Sequence, residues 1–265
     1  MAIFEIIQPG NWIVCDDAVW GIQMDNLIHG LESQFFEANV CFNLFETAQA
    51  AFLARMVEYA SSMDSWQSDR ARRDDVRKQV ENDLTQASST MSEDEISFQV
   101  DVRIARDAWR SAPPREHSDR LQFIYARAFI YSLDLFEKLL KDFSATPNVP
   151  TFLADLHERM LNDFPCLRQV RNTLQHMDER AQRIGPNKRA IPAVPTDSAG
   201  IKAGATTLVL DNLSNSTFQT VMGDGRQGSV DVTAESMQRL QSIMQAIVDS
   251  FQWKGTKELR PSVPR

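Results

Sequence analysis

Several features that would commit a chain to a functional class are scarce or missing here. The three cysteines, Cys15, Cys41 and Cys166, are far apart, odd in number and outside any C-x-x-C pair. A disulfide framework or thiolate zinc site is therefore not expected, and a reducing cytoplasm is the simplest setting. No run reaches the roughly eighteen uninterrupted apolar residues that a membrane helix requires, so no membrane partner is expected. The opening MAIFEIIQPGNWIV has no basic segment followed by a long apolar stretch, so it does not read as a signal peptide. The sequons at Asn212 and Asn215 then carry no expected glycan. Walker, nucleophile-elbow and H-E-x-x-H sequences are absent. His29, His117 and His157 stand alone in sequence and read as surface or structural residues. Gly223-x-Gly225-x-x-Gly228 matches the dinucleotide fingerprint in letters only, because a strand pattern follows it where a helix is needed. No cofactor and no metal are expected.

What is present is the material of an ordinary globular protein. At 265 residues the chain can bury a large core as one big domain or two small ones. Its hydrophobic fraction of 43% and charged fraction of 24% are unexceptional. A net charge of −8 and a pI near 5.1 argue against indiscriminate coating of nucleic acid, yet leave room for a local basic cleft.

Periodicity gives a mainly α-helical chain. Residues 1–24 read as an irregular arm with a short strand near Ile3 to Ile7. A helix is expected from Asp25 to about Met63, with Leu44, Ala48, Ala51, Phe52, Arg55 and Tyr59 recurring at threes and fours. Residues 64–90 carry both charge signs and few large apolar groups, as an exposed outer helix would. Ser92 with Glu95 forms a capping box, and the helix it opens ends before Pro113-Pro114. A further start at Ser118 leads into a stripe of Leu121, Ile124, Tyr125, Ala128, Ser132, Leu135, Leu139 and Phe143, widened by Phe129, Phe136 and Leu140. Pro147 and Pro150 break it. A shorter helix follows to about Leu161. Asn162 or Asp163 is then expected to cap another, with Pro165 in its first turn. After Gly185-Pro186 a polar loop runs to about residue 204. Alternating segments within 206–233 predict a small antiparallel β-meander. Thr233 caps a last helix bearing Met237, Leu240, Met244, Ile247 and Phe251, and the tail after Trp253 reads as frayed. The expected segments are thus an arm (1–24), a helical bundle (25–185), loop and meander (186–232), a helix packing back (233–253) and a tail (254–265).

The stretch with chemistry in it is Arg171-Asn172-Thr173-Leu174-Gln175-His176, continuing into Met177-Asp178-Glu179-Arg180. Arginine holds phosphate through paired charge-assisted bonds. Histidine as a residue type moves protons near neutral pH. Such a pair suffices to cleave RNA without a metal, because the ribose 2′-hydroxyl supplies the nucleophile. Spacing alone is not diagnostic, since pairs like this arise by chance. On a continuous helix, Val170, Leu174, Met177, Ala181 and Ile184 form the apolar stripe. Gln169, Thr173, His176, Arg180 and Arg183 fall on one flank, with Arg171 and Asp178 on the other. A single chain would then separate the pair, whereas two copies around a two-fold axis would bring opposite flanks together. Between Phe164 and Arg189 stand Arg168, Arg171, Arg180, Arg183, Lys188 and Arg189 against Asp178 and Glu179, a local +4 in a chain of −8. The plain alternative is a set of cations favoured near a helix C-terminus.

A helical bundle with Arg171, Asn172 and His176 on a late helix resembles the HEPN superfamily (higher eukaryotes and prokaryotes nucleotide-binding), whose signature is R-x(4–6)-H with a polar residue after the arginine. The resemblance covers one helix by motif and residues 25–185 by character. It implies a metal-independent endoribonuclease acting as a homodimer. His176 would be the general acid/base, Arg171 would hold the scissile phosphate and Asn172 would orient the pair. Arg168, Arg180 and Arg183 would contact RNA. An acidic residue from another helix often joins such sites, and Glu46 and Glu137 lie on suitable helices. Members commonly serve toxin–antitoxin and anti-phage systems, which implies an antitoxin or regulatory partner. Others are non-catalytic. The competing expectation is therefore a dimeric helical module binding a nucleotide or protein, with Arg171 and His176 in a structural network.

Overall fold

The computed structural model describes residues 1–61, 66–192, 196–198, 201–203 and 209–262. Among them the chain is mainly helical with small antiparallel sheets. The helices are α1 (Ala18–Ser61), α2 (Trp66–Gln86), α3 (Glu93–Trp109), α4 (Arg115–Ser144), α5 (Phe152–Asp163), α6 (Leu167–Gln175), α7 (Met177–Ala181) and α8 (Ala234–Asp249). No described helix is long and apolar enough to cross a membrane.

The chain separates into two units: Met1–Glu46 with Gln122–Arg265, and Thr47–Leu121. In the first unit three helices carry strict alternating steps of three and four. These are Met24, Ile28, Leu31, Phe35, Ala38, Phe42 and Phe45 on α1; Ala126, Phe129, Leu133, Phe136, Leu140 and Phe143 on α4; and Met237, Leu240, Met244 and Ile247 on α8, continued by Phe251 just past its end. Apolar residues repeating every 3.5 positions make a seam of coiled-coil type. With Leu153, Leu156 and Met160 of α5 and Leu167, Val170 and Leu174 of α6, they form one buried cluster. The expected α4 stripe is displaced by about one residue. Leu121, Ile124 and Leu135 are exposed, because the phenylalanines at 129, 136 and 143 bury more area and take the inner face.

The second unit is built around a helical hairpin of α2 and α3. Its small core is Val76, Val80 and Val100, flanked by Leu84, Ile96 and Ile104. Ion pairs such as Arg73–Asp101 and Arg103–Asp83, both at 2.6 Å, lace its surface. The Ser92 cap is present, its side chain accepting from the Glu95 amide at 3.3 Å. Ser118 is not a helix start. α4 opens at Arg115, directly after the Pro113-Pro114 break.

Both chain ends depart from expectation. The short strand expected near Ile3 to Ile7 is present as β1 (Ile6–Gln8), but the arm is ordered beyond it: β1 and β2 (Trp12–Ile13) pair antiparallel with β9 (Glu258–Arg260) and β8 (Trp253–Lys254), so the tail is not frayed as far as Arg260. Side-chain amides dock the arm. Asn39 and Asn43 donate to the Ala2 carbonyl at 3.0 and 2.8 Å, and Gln245 both accepts from and donates to the Ile7 backbone. Amide side chains reproduce the donor and acceptor of a neighbouring strand, which composition and periodicity do not reveal. α1 accordingly starts at Ala18, seven residues before Asp25.

The polar loop after Gly185 holds a hairpin, β3 (Thr196–Ser198) with β4 (Ile201–Ala203). The meander is β5 (Asn212–Ser214), β6 (Thr217–Val221) and β7 (Gln227–Asp231), antiparallel in that order. Of the expected segment from residue 206, positions 206–208 lie outside the described residues. The glycines are turn and packing residues, as their context suggests. Gly225 has φ +85°, and a Cβ on Gly228 would stand 2.6 Å from Met222 Sδ and 3.0 Å from Val170 Cγ2. The second contact records how closely β7 lies on α6, the element that carries the motif.

Candidate functional site

α6 begins at Leu167 with Cys166 at its cap position, not at Asn162 or Asp163, which complete α5. Leu167, Val170 and Leu174 dock it into the core, and Thr173 Oγ1 donates to the Val221 carbonyl of β6 at 3.3 Å. The helix then stops. His176 has φ −115° and ψ 37°, and its amide donates to the carbonyls of Asn172 and Thr173 at 3.1 and 3.2 Å. α7 restarts with Asp178 and Glu179 in its first turn, where negative charge is favoured. The expectation of one continuous helix is thereby corrected, and with it the flank positions. Thr173 and Arg180 are buried, Ala181 is exposed, and Arg183 sits beyond the helix at φ +60°.

Arg171 faces inward. Its Nε lies 2.8 Å from Asp134 Oδ2 of α4, and its Nη1 donates to Gln175 Oε1. Lys138 reaches the same Asp134 oxygen at 2.6 Å. The acidic residue beside the motif arginine is thus Asp134, rather than Glu46 or Glu137. Glu137 instead holds His157, Oε1 to Nε2 at 2.7 Å, in keeping with the reading of His157 as a structural residue. A carboxylate set between Leu133 and Leu135 on a wide apolar helix is the signal that marks Asp134.

His176 points the other way, its side chain 53% exposed. No hydrogen bond or ion pair joins it to Arg171. It lines a cleft of about 330 Å³ with Asn172, Glu179, Arg180, Pro186, Asn187 and Lys188. Of the expected site residues, the structure therefore gathers His176, Asn172 and Arg180, and leaves Arg171 in the core. Arg168 is exposed beside a separate small cavity with Glu137 and Gln169. Arg183 does not line the cleft. The loop supplying Asn187 and Lys188 was not anticipated as part of a site. It is closed by Gly185 N–H to the Arg189 carbonyl at 2.6 Å and Ile191 N–H to the Arg183 carbonyl at 2.8 Å. Asn187 and Lys188 both take positive φ, 55° and 58°, a conformation unfavourable for side chains other than glycine, asparagine or aspartate.

Glu179 lies between two of the cleft's side chains. Its Oε2 lies 3.7 Å from His176 Nδ1 and 3.7 Å from Arg180 Nη1. Among the described residues no group of three or more His, Cys, Asp or Glu side chains is arranged to hold a metal ion. Compared with known proteins, the chain matches no family model, no curated protein and no solved structure.

Proposed function

We propose that this protein is an endoribonuclease of HEPN type that cleaves RNA through its own 2′-hydroxyl, with His176 moving the proton. The observation that carries this reading is the cleft itself, where an exposed histidine faces a buried arginine, an exposed lysine and two amides. The 2′-oxygen attacks phosphorus while His176 accepts its proton. The bond from phosphorus to the 5′-oxygen breaks, and water protonates the leaving oxygen. The products are a 2′,3′-cyclic phosphate and a 5′-hydroxyl. Cations held at the phosphate stabilise the charge that grows in the transition state. Asn172, whose side chain makes no hydrogen bond among the described residues, orients the substrate. The helical body is read as a HEPN-like bundle that assembles as a homodimer, held in check in a toxin–antitoxin or anti-phage setting by a regulatory protein.

One observation favours the alternative of a non-catalytic module that binds a nucleotide or protein. Arg171 is committed to Asp134 and Gln175, as a structural network requires. RNA cleavage by wild-type protein and His176→Ala in EDTA separates the two. The nuclease reading expects a folded variant of unchanged oligomeric state and no cleavage. Equal cleavage by both proteins, or none by the wild type across varied RNAs, removes it.

A further inference from the structure

We propose that the cleft beside α7 is a phosphate site complete within one chain, anchored by Arg180, with Glu179 as the internal carboxylate that phosphate displaces. This rests on the nuclease reading for its substrate but not for its geometry.

Arg180 is the least usual residue in the cleft. Its side chain is only 4% exposed, yet it lines the cavity. Its Nη1 donates to the Ile184 carbonyl at 2.5 Å, while its Nε is buried with no hydrogen-bond partner. The β6–β7 turn backs onto it, Nη2 lying 3.5 Å from where a Cβ on Gly223 would stand. Among the described residues the one carboxylate within 4.0 Å of it is Glu179, at 3.7 Å, beyond hydrogen-bond reach. A buried guanidinium with an unmet N–H and a loosely held counter-ion is under-neutralised, and burial of charge is tolerated only when it is paired. A phosphate oxygen entering the cleft supplies what is missing, through the fork that suits guanidinium to phosphate.

The other walls agree. Lys188 makes no ion pair among the described residues and stands on the rim in a left-handed conformation that a loop rarely keeps without cause. Asn187 and Asn172 add amide donors. Arg171, the residue the motif nominates for phosphate, also has a buried Nε with no hydrogen-bond partner, but its charge is already paired with Asp134 at 2.8 Å and it does not line the cleft. A volume of about 330 Å³ is at the small end for ligand sites, which admits one unpaired nucleotide with its phosphate and not a duplex.

The test is binding, measured apart from cleavage. The full chain is titrated by calorimetry with inorganic phosphate and with a nucleoside 3′-monophosphate, using wild type, Lys188→Gln, Glu179→Gln, Arg180→Lys and Arg171→Met. Wild type is expected to bind the nucleotide more tightly than phosphate. Lys188→Gln weakens both, Glu179→Gln strengthens both by removing the competing anion, and folded Arg171→Met binds as wild type does. Arg180→Lys weakens binding by about tenfold, as loss of a charge-assisted bond implies. If Arg180→Lys does not fold, the two surface variants decide. No binding by wild type, or binding indifferent to both Lys188→Gln and Glu179→Gln, overturns the proposal. Phosphate binding without RNA cleavage would leave this site standing and remove the nuclease. Cleavage that ignores both surface variants would do the reverse.

Discussion

Arg171 and Asp134 meet as a buried ion pair, Nε to Oδ2 at 2.8 Å, with side chains 11% and 5% exposed. The pair ties α6 to α4 and withdraws the motif arginine from solvent. Asp134 Oδ1 has no hydrogen-bond partner, so the carboxylate depends on its cations. Asp134→Asn should therefore leave Arg171 as an uncompensated buried charge and cost about 3–5 kcal/mol. Replacing both partners with apolar residues, Asp134→Leu with Arg171→Met, should recover most of that loss. Urea denaturation of the three proteins measures both effects. A single-variant cost under about 1 kcal/mol would show that the pair is solvated and structurally idle.

The displaced stripe on α4 gives a paired test. Phe136 is fully buried, whereas its neighbour Leu135 is 44% exposed, although periodicity alone assigns both to the core face. Phe136→Ala should cost about 3–5 kcal/mol through lost burial and the cavity left behind. Leu135→Ala should stay within roughly 0.5 kcal/mol. Comparable losses at both sites would restore the expected stripe and displace the one described here.

Helix content and order were legible because apolar residues recur at threes and fours and because Ser92 and Thr233 carry recognisable cap chemistry. The meander was legible from its turns. Other features depend on contacts distant in sequence. The arm is ordered by Asn39, Asn43 and Gln245, whose amides look like surface residues until they meet the backbone. At the site, composition marked the basic island but not its partition. Asp134 lies 37 positions before Arg171, and no local rule pairs them. Helical spacing already set Arg171 and His176 on opposite flanks, but the break at His176 contains neither glycine nor proline, so nothing local announced the break itself.

Cys41 offers a pH-dependent readout on the groove between α1 and α4, where it lies with Glu37, Val40 and Leu135. Burial, and then the charge of Glu37, push its thiol above the ordinary cysteine range. A raised pKa means less thiolate at any given pH, so alkylation should be slow at neutrality and accelerate only in alkaline solution. Glu37→Gln removes the smaller of the two causes and should shift the profile modestly toward lower pH. Iodoacetamide labelling followed by mass spectrometry at Cys41 gives the profile. Rapid labelling at pH 7 would contradict the burial of this thiol.

The two-fold and single-chain arrangements of the site make opposite forecasts for mixtures of inactive proteins. In a composite site, where Arg171 of one chain works with His176 of the other, a dimer of one His176→Ala chain and one Arg171→Met chain has one site with both defects and one with neither. Random pairing makes about half of the dimers mixed, so up to roughly a quarter of wild-type activity should return. In a cleft complete within one chain, His176→Ala is inactive in every pairing, and mixing it with an inactive Lys188→Gln chain restores nothing. Arg171→Met, if folded, should instead keep its activity alone, because Arg171 does not line the cleft. Co-refolding each pair at equal concentration and measuring RNA cleavage separates the cases. Recovery in the His176→Ala and Lys188→Gln mixture would mean that the catalytic groups of two chains converge, and the assignment of phosphate to Arg180 of the same chain would fall with it.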